Sequence, residues 1–287
     1  MTDVMFGQMY PVDSVIHRMD PRAKLLITIA YIVMIFFIDL FVVYGFVALF
    51  LLFVILLSRV PVSKVLKSVR MIIMLLVFTL LITVLFSKGD KADPVNDLFY
   101  IEWGIITICP AGLINGGKLV CRLLLLILGP AMLTLTTTPV ALTDAIERLL
   151  TPLTLIKVPV HVFTLIMSIA LRLVPTLMEE TEKIINAQKA RGASFDHGNI
   201  FKRAAALLPV LIPLFVNSFR RSEELADAMD SRCYSGAKGR TKMKVMKMNA
   251  IDYSVLEGMA VLLFSVLMCR YNAVWFNFDW LNAVLVA

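Results

Sequence analysis

Two arginines, Arg191 and Arg232, stand in short motifs of similar composition. The motifs are Ala187-Gln-Lys-Ala-Arg-Gly192 and Ala228-Met-Asp-Ser-Arg-Cys233. Each motif closes a long helical stretch, and a cation near a helix C-terminus stabilises the helix by ~0.3–1 kcal/mol without any further role. A guanidinium with small neighbours can also enter a groove and form two parallel hydrogen bonds to a carboxylate. Because this arginine motif occurs twice, the pattern favours binding of a soluble partner.

Residues that would support catalysis are missing from the sequence. No Gly-x-Ser-x-Gly elbow is present. Gly112–Leu119 has the spacing of a phosphate-binding loop, but a leucine replaces the Ser or Thr that would hold magnesium, and Ser235–Thr241 has the wrong spacing. The histidines are far apart and have no second metal ligand at a useful spacing: His17, His161 and His197. We therefore expect neither a metal site nor an enzyme.

The composition is that of an integral membrane protein. Of the 287 residues 59% are hydrophobic, and the mean hydropathy is +0.84, whereas soluble domains are about 45–50% apolar. The net charge of +7 is typical of a protein whose basic loops stay in the cytoplasm. No pattern of interleaved basic and aromatic residues suggests nucleic-acid binding. The lipid bilayer is the first predicted partner.

Hydropathy predicts an all-α protein in three parts. Residues 1–137 form a membrane domain, 138–250 a charged insert, and 251–287 a last transmembrane helix and a tail. The four spans of the first part cover about 22–38, 40–57, 71–86 and 111–137. The basic link Ser58–Arg70, the insert and the N-terminus then lie on the cytoplasmic side. The acidic loop Ser87–Pro110 and the C-terminus lie outside.

The insert is predicted to contain three helices. The first runs from Pro139 to near Pro152, and the longer two cover Val160–Arg191 and Ile200–Arg232. Each long helix has an apolar half with internal proline, a charged half, and an arginine motif at its end. The apolar halves are either two further spans, which makes seven, or helices that lie along the cytoplasmic side. We favour the latter, since the first half contains His161 and Arg172 and the second two prolines.

A single cation lies deep in a predicted span. Arg122 is about ten residues, or ~15 Å, into the fourth span. A charge at that depth is a functional candidate by default. The alternative is that Arg122 pairs inside the helix bundle or extends its side chain outward to the membrane surface, and we favour this alternative over a functional role.

These motifs together resemble one membrane protein family over nearly the whole chain. Ala190-Arg191-Gly192 and Ser231-Arg232-Cys233 resemble the paired arginine motifs of the transmembrane T subunit of energy-coupling-factor transporters, the cobalt/biotin-type vitamin importers. Ser14-Val-Ile-His-Arg-Met-Asp-Pro-Arg-Ala-Lys24 and Thr136-Thr-Thr-Pro139 match other parts of that family's pattern. The second arginine motif departs from Ala-Arg-Gly by its Ser and Cys.

The resemblance implies about five transmembrane helices and a cytoplasmic coupling domain of three helices, two of them long and crossed. The arginine motifs would dock on two ABC ATPase subunits, identical or different, which bind ATP and magnesium, so this chain needs no cofactor. One small substrate-binding membrane protein at a time, the S component, would sit on the apolar halves and select a vitamin or metal. The implied location is the bacterial cytoplasmic membrane. The expected platform residues are Phe163, Leu165, Leu173, Leu177, Leu208, Leu211, Leu214 and Phe215.

Two other classes remain open at this point. A secondary transporter with seven spans would work without ATPases and would carry a substrate site at the membrane midplane. An intramembrane enzyme would need a catalytic constellation, which the sequence does not contain. Few midplane polar groups other than Arg122 are present, which counts against the transporter.

Overall fold

The structure is a computed structural model that describes residues 9–10, 12–38, 40–70, 72–86, 101–103, 106–108, 110–157, 159–193, 200–236 and 248–275. These residues form ten α-helices, a short 3-10 helix and two short strands. The α-helices are α1 (Val15–Arg18), α2 (Pro21–Phe36), α3 (Phe41–Ser58), α4 (Val62–Arg70), α5 (Ile73–Phe86), α6 (Pro110–Thr136), α7 (Pro139–Leu150), α8 (Val160–Ala190), α9 (Ile200–Asp230) and α10 (Ala250–Trp275). The 3-10 helix covers Thr151–Ile156.

Described residues of Gly7–Leu142 and Met246–Ala287 form one compact unit, here called the membrane unit. It contains a helix at each of the five predicted spans: α2, α3, α5, α6 and α10. The outward faces of these helices stay apolar, with Phe46, Leu49 and Phe78 each at least 60% exposed, as helices solvated by lipid require. Ile35 and Val47 are fully buried in its core.

Helix α2 begins with an N-cap carboxylate followed by a proline. The side chain of Asp20 accepts a hydrogen bond from the backbone N–H of Arg22 at 3.0 Å, and Pro21 occupies the first helical position. An N-cap carboxylate satisfies one of the orphan donors of the helix, and proline has no N–H to leave unpaired there.

A glycine allows α2 and α6 to approach closely. A Cβ atom added at Gly129 would lie 2.4 Å from the ring of Tyr31, so no side chain fits at this position. The Tyr31 hydroxyl donates to the carbonyl oxygen of Leu125 at 3.0 Å and is thereby satisfied inside the bundle.

Described residues of Thr143–Val245 form the second compact unit, here called the insert unit. Its helices α8 and α9 each have 31 residues and agree with the predicted helices to within two residues at the described ends. Pro175, Pro209 and Pro213 lie inside these helices, as expected. The His161 Nδ1 lies 3.0 Å from Glu147 Oε1 and links the start of α8 to α7.

By length and composition, four of the described helices are able to cross a membrane: Phe41–Ser58, Gly112–Thr136, Val160–Ala190 and Ala250–Met268. The third is α8, which the sequence analysis favoured as a helix outside the bilayer. α5 is a shorter apolar helix of 14 residues, close to the length predicted for that span.

Two strands interrupt the region expected to be an irregular acidic loop. β1 (Ile101–Trp103) pairs antiparallel with β2 (Ile106–Ile108), with Ile101 opposite Ile108. Isoleucine, threonine and tryptophan favour strands, which is the physical reason for the hairpin. Residues 87–100 of the same loop, residues 194–199 and the tail after 275 lie outside the described residues.

Candidate functional site

The first arginine motif forms the C-terminal turn of α8. Arg191 is the C-cap residue, and Gly192 follows in the left-handed conformation with φ of +87°. The backbone N–H of Gly192 donates to Lys189 O and that of Ala193 to Gln188 O, both at 3.0 Å. These two bonds define a Schellman turn, which satisfies the last carbonyl groups of the helix. The glycine is needed there because a Cβ atom disfavours positive φ.

The second motif forms the same turn at the end of α9. Cys233 has φ of +55°, and its N–H donates to Asp230 O at 2.9 Å. The N–H of Tyr234 donates to Met229 O at 3.1 Å, which completes the Schellman pattern. Arg232 therefore holds the position that Arg191 holds on α8, and the sequence departure at Cys233 leaves the turn intact.

Both arginines are available to a partner. All six motif residues are exposed: Ala190, Arg191, Gly192, Ser231, Arg232 and Cys233. Within the described parts of the chain, the structure assigns neither guanidinium an ion pair. The surroundings differ in charge, since Lys189 precedes the first arginine whereas Asp227 and Asp230 precede the second.

A polar contact joins α8 and α9 at equivalent positions of the repeat. Glu180 Oε2 lies 3.7 Å from Arg221 Nη2, and Glu180 Oε1 accepts a 2.6 Å hydrogen bond from Asn217 Nδ2. Glu180 precedes Arg191, and Arg221 precedes Arg232, by the same number of residues, about three helical turns or ~16 Å. The contact therefore places the two arginine ends at equal distances along their helices from the point where the helices meet.

The apolar halves of α8 and α9 expose large hydrophobic side chains. Four expected platform residues are exposed: Phe163 58%, Leu208 53%, Leu211 43% and Phe215 61%. The other four are half-buried: Leu165, Leu173, Leu177 and Leu214. The sequence analysis missed Ile212, Val216 and Phe219, each at least 60% exposed. These residues are spaced by three or four positions, and this spacing indicates that they share one face of a helix.

The amino-terminal motif and the Thr136–Pro139 motif meet in the membrane unit. The Lys24 ammonium, only 6% exposed as a residue, donates to Thr136 O at 3.0 Å and to Thr137 Oγ1 at 3.4 Å. It also donates to His17 O at 3.3 Å. Burial, and secondarily the charge of Lys24, lowers the pKa of His17 below its usual value. Residues of the Thr136–Pro139 motif therefore accept hydrogen bonds from Lys24, the last residue of the amino-terminal motif.

A buried carboxylate that the sequence analysis did not single out completes this cluster. Asp252, 2% exposed, accepts hydrogen bonds from the backbone N–H of Asp20 at 3.0 Å and of Asn249 at 2.8 Å. It thus caps the start of α10 and ties that helix to the start of α2. The sequence signal for this role was an acid three residues after an asparagine, ahead of an apolar run, which is the pattern of a helix N-terminus.

Arg122 pairs inside the bundle, as the sequence analysis favoured. Its Nη2 donates to Ile38 O at 2.7 Å and its Nε to the Tyr44 hydroxyl at 2.9 Å. Tyr44 itself donates to Ile38 O at 2.8 Å. The guanidinium therefore satisfies a carbonyl group just beyond the end of α2 and holds the α2–α3 connection against α6.

The other stretches considered for chemistry lie within a helix or partly outside the described residues. Gly112–Leu119 lies within α6, where a Cβ atom added at Gly116 would meet Leu80 at 3.1 Å, so this stretch packs helices. No group of three or more potential metal ligands occurs among the described residues. His197 and most of Ser235–Thr241 lie outside them.

Comparison with known proteins identifies the family. The family model of CbiQ, "Cobalt transport protein", matches residues 13–243. The "Energy-coupling factor transporter transmembrane protein EcfT" of Thermosediminibacter oceani is 44% identical over 271 residues, 94% of this chain and 99% of that protein. The protein of the same name from Ruminiclostridium cellulolyticum is 43% identical over 269 residues, 94% and 98%. That from Listeria innocua is 40% identical over 262 residues, 91% and 96%. The chain therefore belongs to this family of transmembrane components of energy-coupling factor transporters.

Proposed function

We propose that this chain is the scaffold through which two ABC ATPase subunits drive uptake of a vitamin or other micronutrient. The observation that carries the proposal is the pair of 31-residue helices that end in the same turn with an exposed arginine at the same position. Two equivalent ends suit two related partner subunits. The family's role is non-catalytic, with ATP hydrolysis in partner subunits.

The arginine ends supply the chemistry of docking. In each, an exposed guanidinium on a rigid turn is flanked by small residues, so that the helix end fits a groove and reaches a carboxylate there. The unequal charges beside Arg191 and Arg232 favour two different grooves, and hence a heterodimer of ATPases over a homodimer. ATP and magnesium bind to those subunits and not to this chain.

The apolar face of α8 and α9 supplies the second surface. Exposed side chains such as Phe163, Leu208 and Phe215 would cost free energy in water, about 25 cal/mol for each Å² of apolar area. A small integral membrane S component, one at a time, would cover them and would choose the substrate. Movement of the ATPases would then pass through α8 and α9 to that component.

The proposed location is the bacterial cytoplasmic membrane, which the chain crosses several times. The N-terminus and the insert unit face the cytoplasm, where ATP is available, and the C-terminus lies outside. The distribution of basic residues supports this orientation, since Ser58–Arg70 contains four Lys or Arg residues and no acid.

A secondary transporter with seven spans is the alternative. The length and composition of α8 favour it, because that helix is able to cross a membrane. The bonds of Arg122 to Ile38 and Tyr44 weigh against it, because they commit the intramembrane cation to holding helices together. A substrate site at the midplane would need free polar groups.

The decisive experiment is affinity purification of the tagged chain from native membranes in mild detergent, followed by mass spectrometry. We expect two ABC ATPase subunits and at least one small hydrophobic membrane protein, whose identity names the substrate. A chain that purifies alone and transports in liposomes without ATP would replace this proposal by the secondary transporter.

A further inference from the structure

An apolar cavity of about 350 Å³ lies within the membrane unit. Residues of α2, α3, α6 and α10 line it, together with Val15 and Ile16 of α1. Representative lining residues are Ile27, Val54, Leu57, Met132, Val255 and Met259. Three of its lining residues also reach the surface of the unit: Val15, Phe53 and Leu57 are 51%, 55% and 41% exposed. The surface around the cavity is therefore apolar where these side chains lie.

The cavity offers no free hydrogen-bonding side chain to a ligand. Four lining side chains carry polar atoms, and each has a partner within the bundle. The bonds run from Lys24 Nζ to Thr136 O (3.0 Å), from Thr28 Oγ1 to Lys24 O (2.8 Å), from Tyr31 Oη to Leu125 O (3.0 Å) and from Thr136 Oγ1 to Met132 O (2.8 Å). A stably bound water needs about two to four polar partners, so the site suits an apolar occupant.

The size and position of the cavity select the class of that occupant. An apolar protein cavity of about 150 Å³ already binds benzene, and this one is more than twice as large. It opens between helices that cross the bilayer, where hydrocarbon chains are the solvent. A flexible alkyl chain therefore suits its volume and its apolar surroundings.

Two exposed arginines stand close to lining residues of the cavity in the sequence. Arg18 directly precedes the lining residue Met19, and its side chain is 76% exposed. Arg59 lies just beyond the lining residue Leu57 at the C-cap of α3. Among the described residues, Asp13 is paired with Arg18: its carboxylate lies 3.8 Å from the guanidinium and is 91% exposed. These cations complement a phosphate headgroup.

We propose that this cavity binds one acyl chain of a membrane phospholipid, with the phosphate headgroup near Arg18 and Arg59. The bound chain completes the packing of α2, α3, α6 and α10 at a place where the protein's own side chains leave space. An apolar side chain from a partner subunit is the competing occupant.

Gly258 offers a way to fill the cavity. It lines the cavity on α10, and a Cβ atom added there meets nothing within 4 Å, so Gly258→Leu enters open space. Gly45→Leu is the matched control: that glycine also has nothing within 4 Å, lies exposed on α3 and does not line the cavity. In both variants the same residue type replaces glycine in a helix.

The test uses the assembled complex in native membranes and a phospholipid with a photoreactive diazirine in its acyl chain. Labelling is mapped by mass spectrometry at Met132 and Met259, which are only 6% and 3% exposed and are reached from within the cavity. We expect wild type and Gly45→Leu to be labelled there, and excess unlabelled phospholipid to compete. In Gly258→Leu we expect this labelling to fall about tenfold or more, because the leucine side chain displaces about two methylene groups of the bound acyl chain.

Three outcomes would overturn the proposal. They are unchanged labelling of Met132 and Met259 in Gly258→Leu, absence of labelling at both methionines in wild type, and cross-linking of Met259 to a partner subunit instead. Competition by unlabelled phospholipid is measured in wild type, so it does not depend on how well the Gly258→Leu variant folds. Labelling at a binding site saturates as the amount of photoreactive lipid rises, whereas labelling by lipid that merely surrounds the protein does not.

Discussion

At the scale of single residues, the turns that end α8 and α9 both need a positive φ after the arginine, and different residues adopt it. Gly192 adopts positive φ at little cost, whereas Cys233 has a Cβ atom and adopts φ of +55° at a cost of about 1–2 kcal/mol. The turn survives because its two backbone hydrogen bonds satisfy carbonyl groups that the helix leaves open. Position of the arginine, and not the identity of its neighbour, is therefore what the two motifs share.

Charge reversal of the arginines tests their role. In the double variant Arg191→Glu/Arg232→Glu, we expect ATPase binding to weaken by at least about 30-fold, because truncating one partner of a buried ion pair costs about 2–5 kcal/mol. Co-purification of ATPase subunits and uptake in whole cells measure the effect. Insertion into the membrane should be unchanged, since both residues are exposed.

Arg220→Glu provides the matched control. This arginine is 79% exposed on α9 and lies 3.5 Å from Glu224 on the same helix, so its reversal should leave ATPase binding near the wild-type level. Normal uptake by the double variant would remove the docking assignment, and an equal loss with Arg220→Glu would point to a general charge effect.

At the scale of elements, buried polar contacts decide how helix ends meet. Asp252 links the start of α10 to the start of α2, and Lys24 links α2 to the end of α6. Arg122 links the α2–α3 connection to α6. Helix termini leave donors and acceptors unpaired, and within a membrane they must find partners in the protein.

Replacing the buried carboxylate should therefore loosen the membrane unit. We expect Asp252→Asn to lower the free energy of unfolding by about 1.5–3 kcal/mol, since it removes a charged acceptor from two backbone N–H groups. Thermal unfolding of the detergent-purified chain provides the measurement. Glu257→Gln, at an exposed carboxylate of the same helix, should be neutral; equal stabilities of the two variants would contradict the structural role.

At the scale of the whole molecule, the chain exposes more apolar surface than a membrane unit alone explains. The insert unit contributes an apolar face on α8 and α9 that includes Phe215 and Phe219, 61% and 68% exposed. Exposed apolar patches of this kind mark interaction sites with protein or membrane. Under the proposed function, the S component would cover this face.

Polar substitutions on that face should release the S component. Leu208→Asp/Leu211→Asp is expected to reduce co-purification of the small membrane protein about tenfold or more, because each buried leucine contributes about 1.5–3 kcal/mol. Leu155→Asp/Ile156→Asp is the control, since both side chains are highly exposed but lie on the 3-10 segment. Retained binding in the first variant would show that another surface holds the S component.

The sequence by itself determined the helices and the exposed motifs of this protein. Runs of apolar residues specify helices in a bilayer, and prolines, caps and glycines mark their ends, so Asp20, Pro21 and Gly192 were predictable from local chemistry. The arginine motifs were recognisable because they recur with their small neighbours.

Tertiary structure alone decided which distant groups meet. The partners of Lys24, Asp252 and Arg122 lie on other helices, and hydropathy specifies no pairing between helices because lipid is as apolar as their faces. The contact between Glu180 and Arg221, and the cavity beside Gly258, likewise depend on how helices pack. Local periodicity determines where each helix begins and ends, whereas packing of side chains from different helices determines what lies between them.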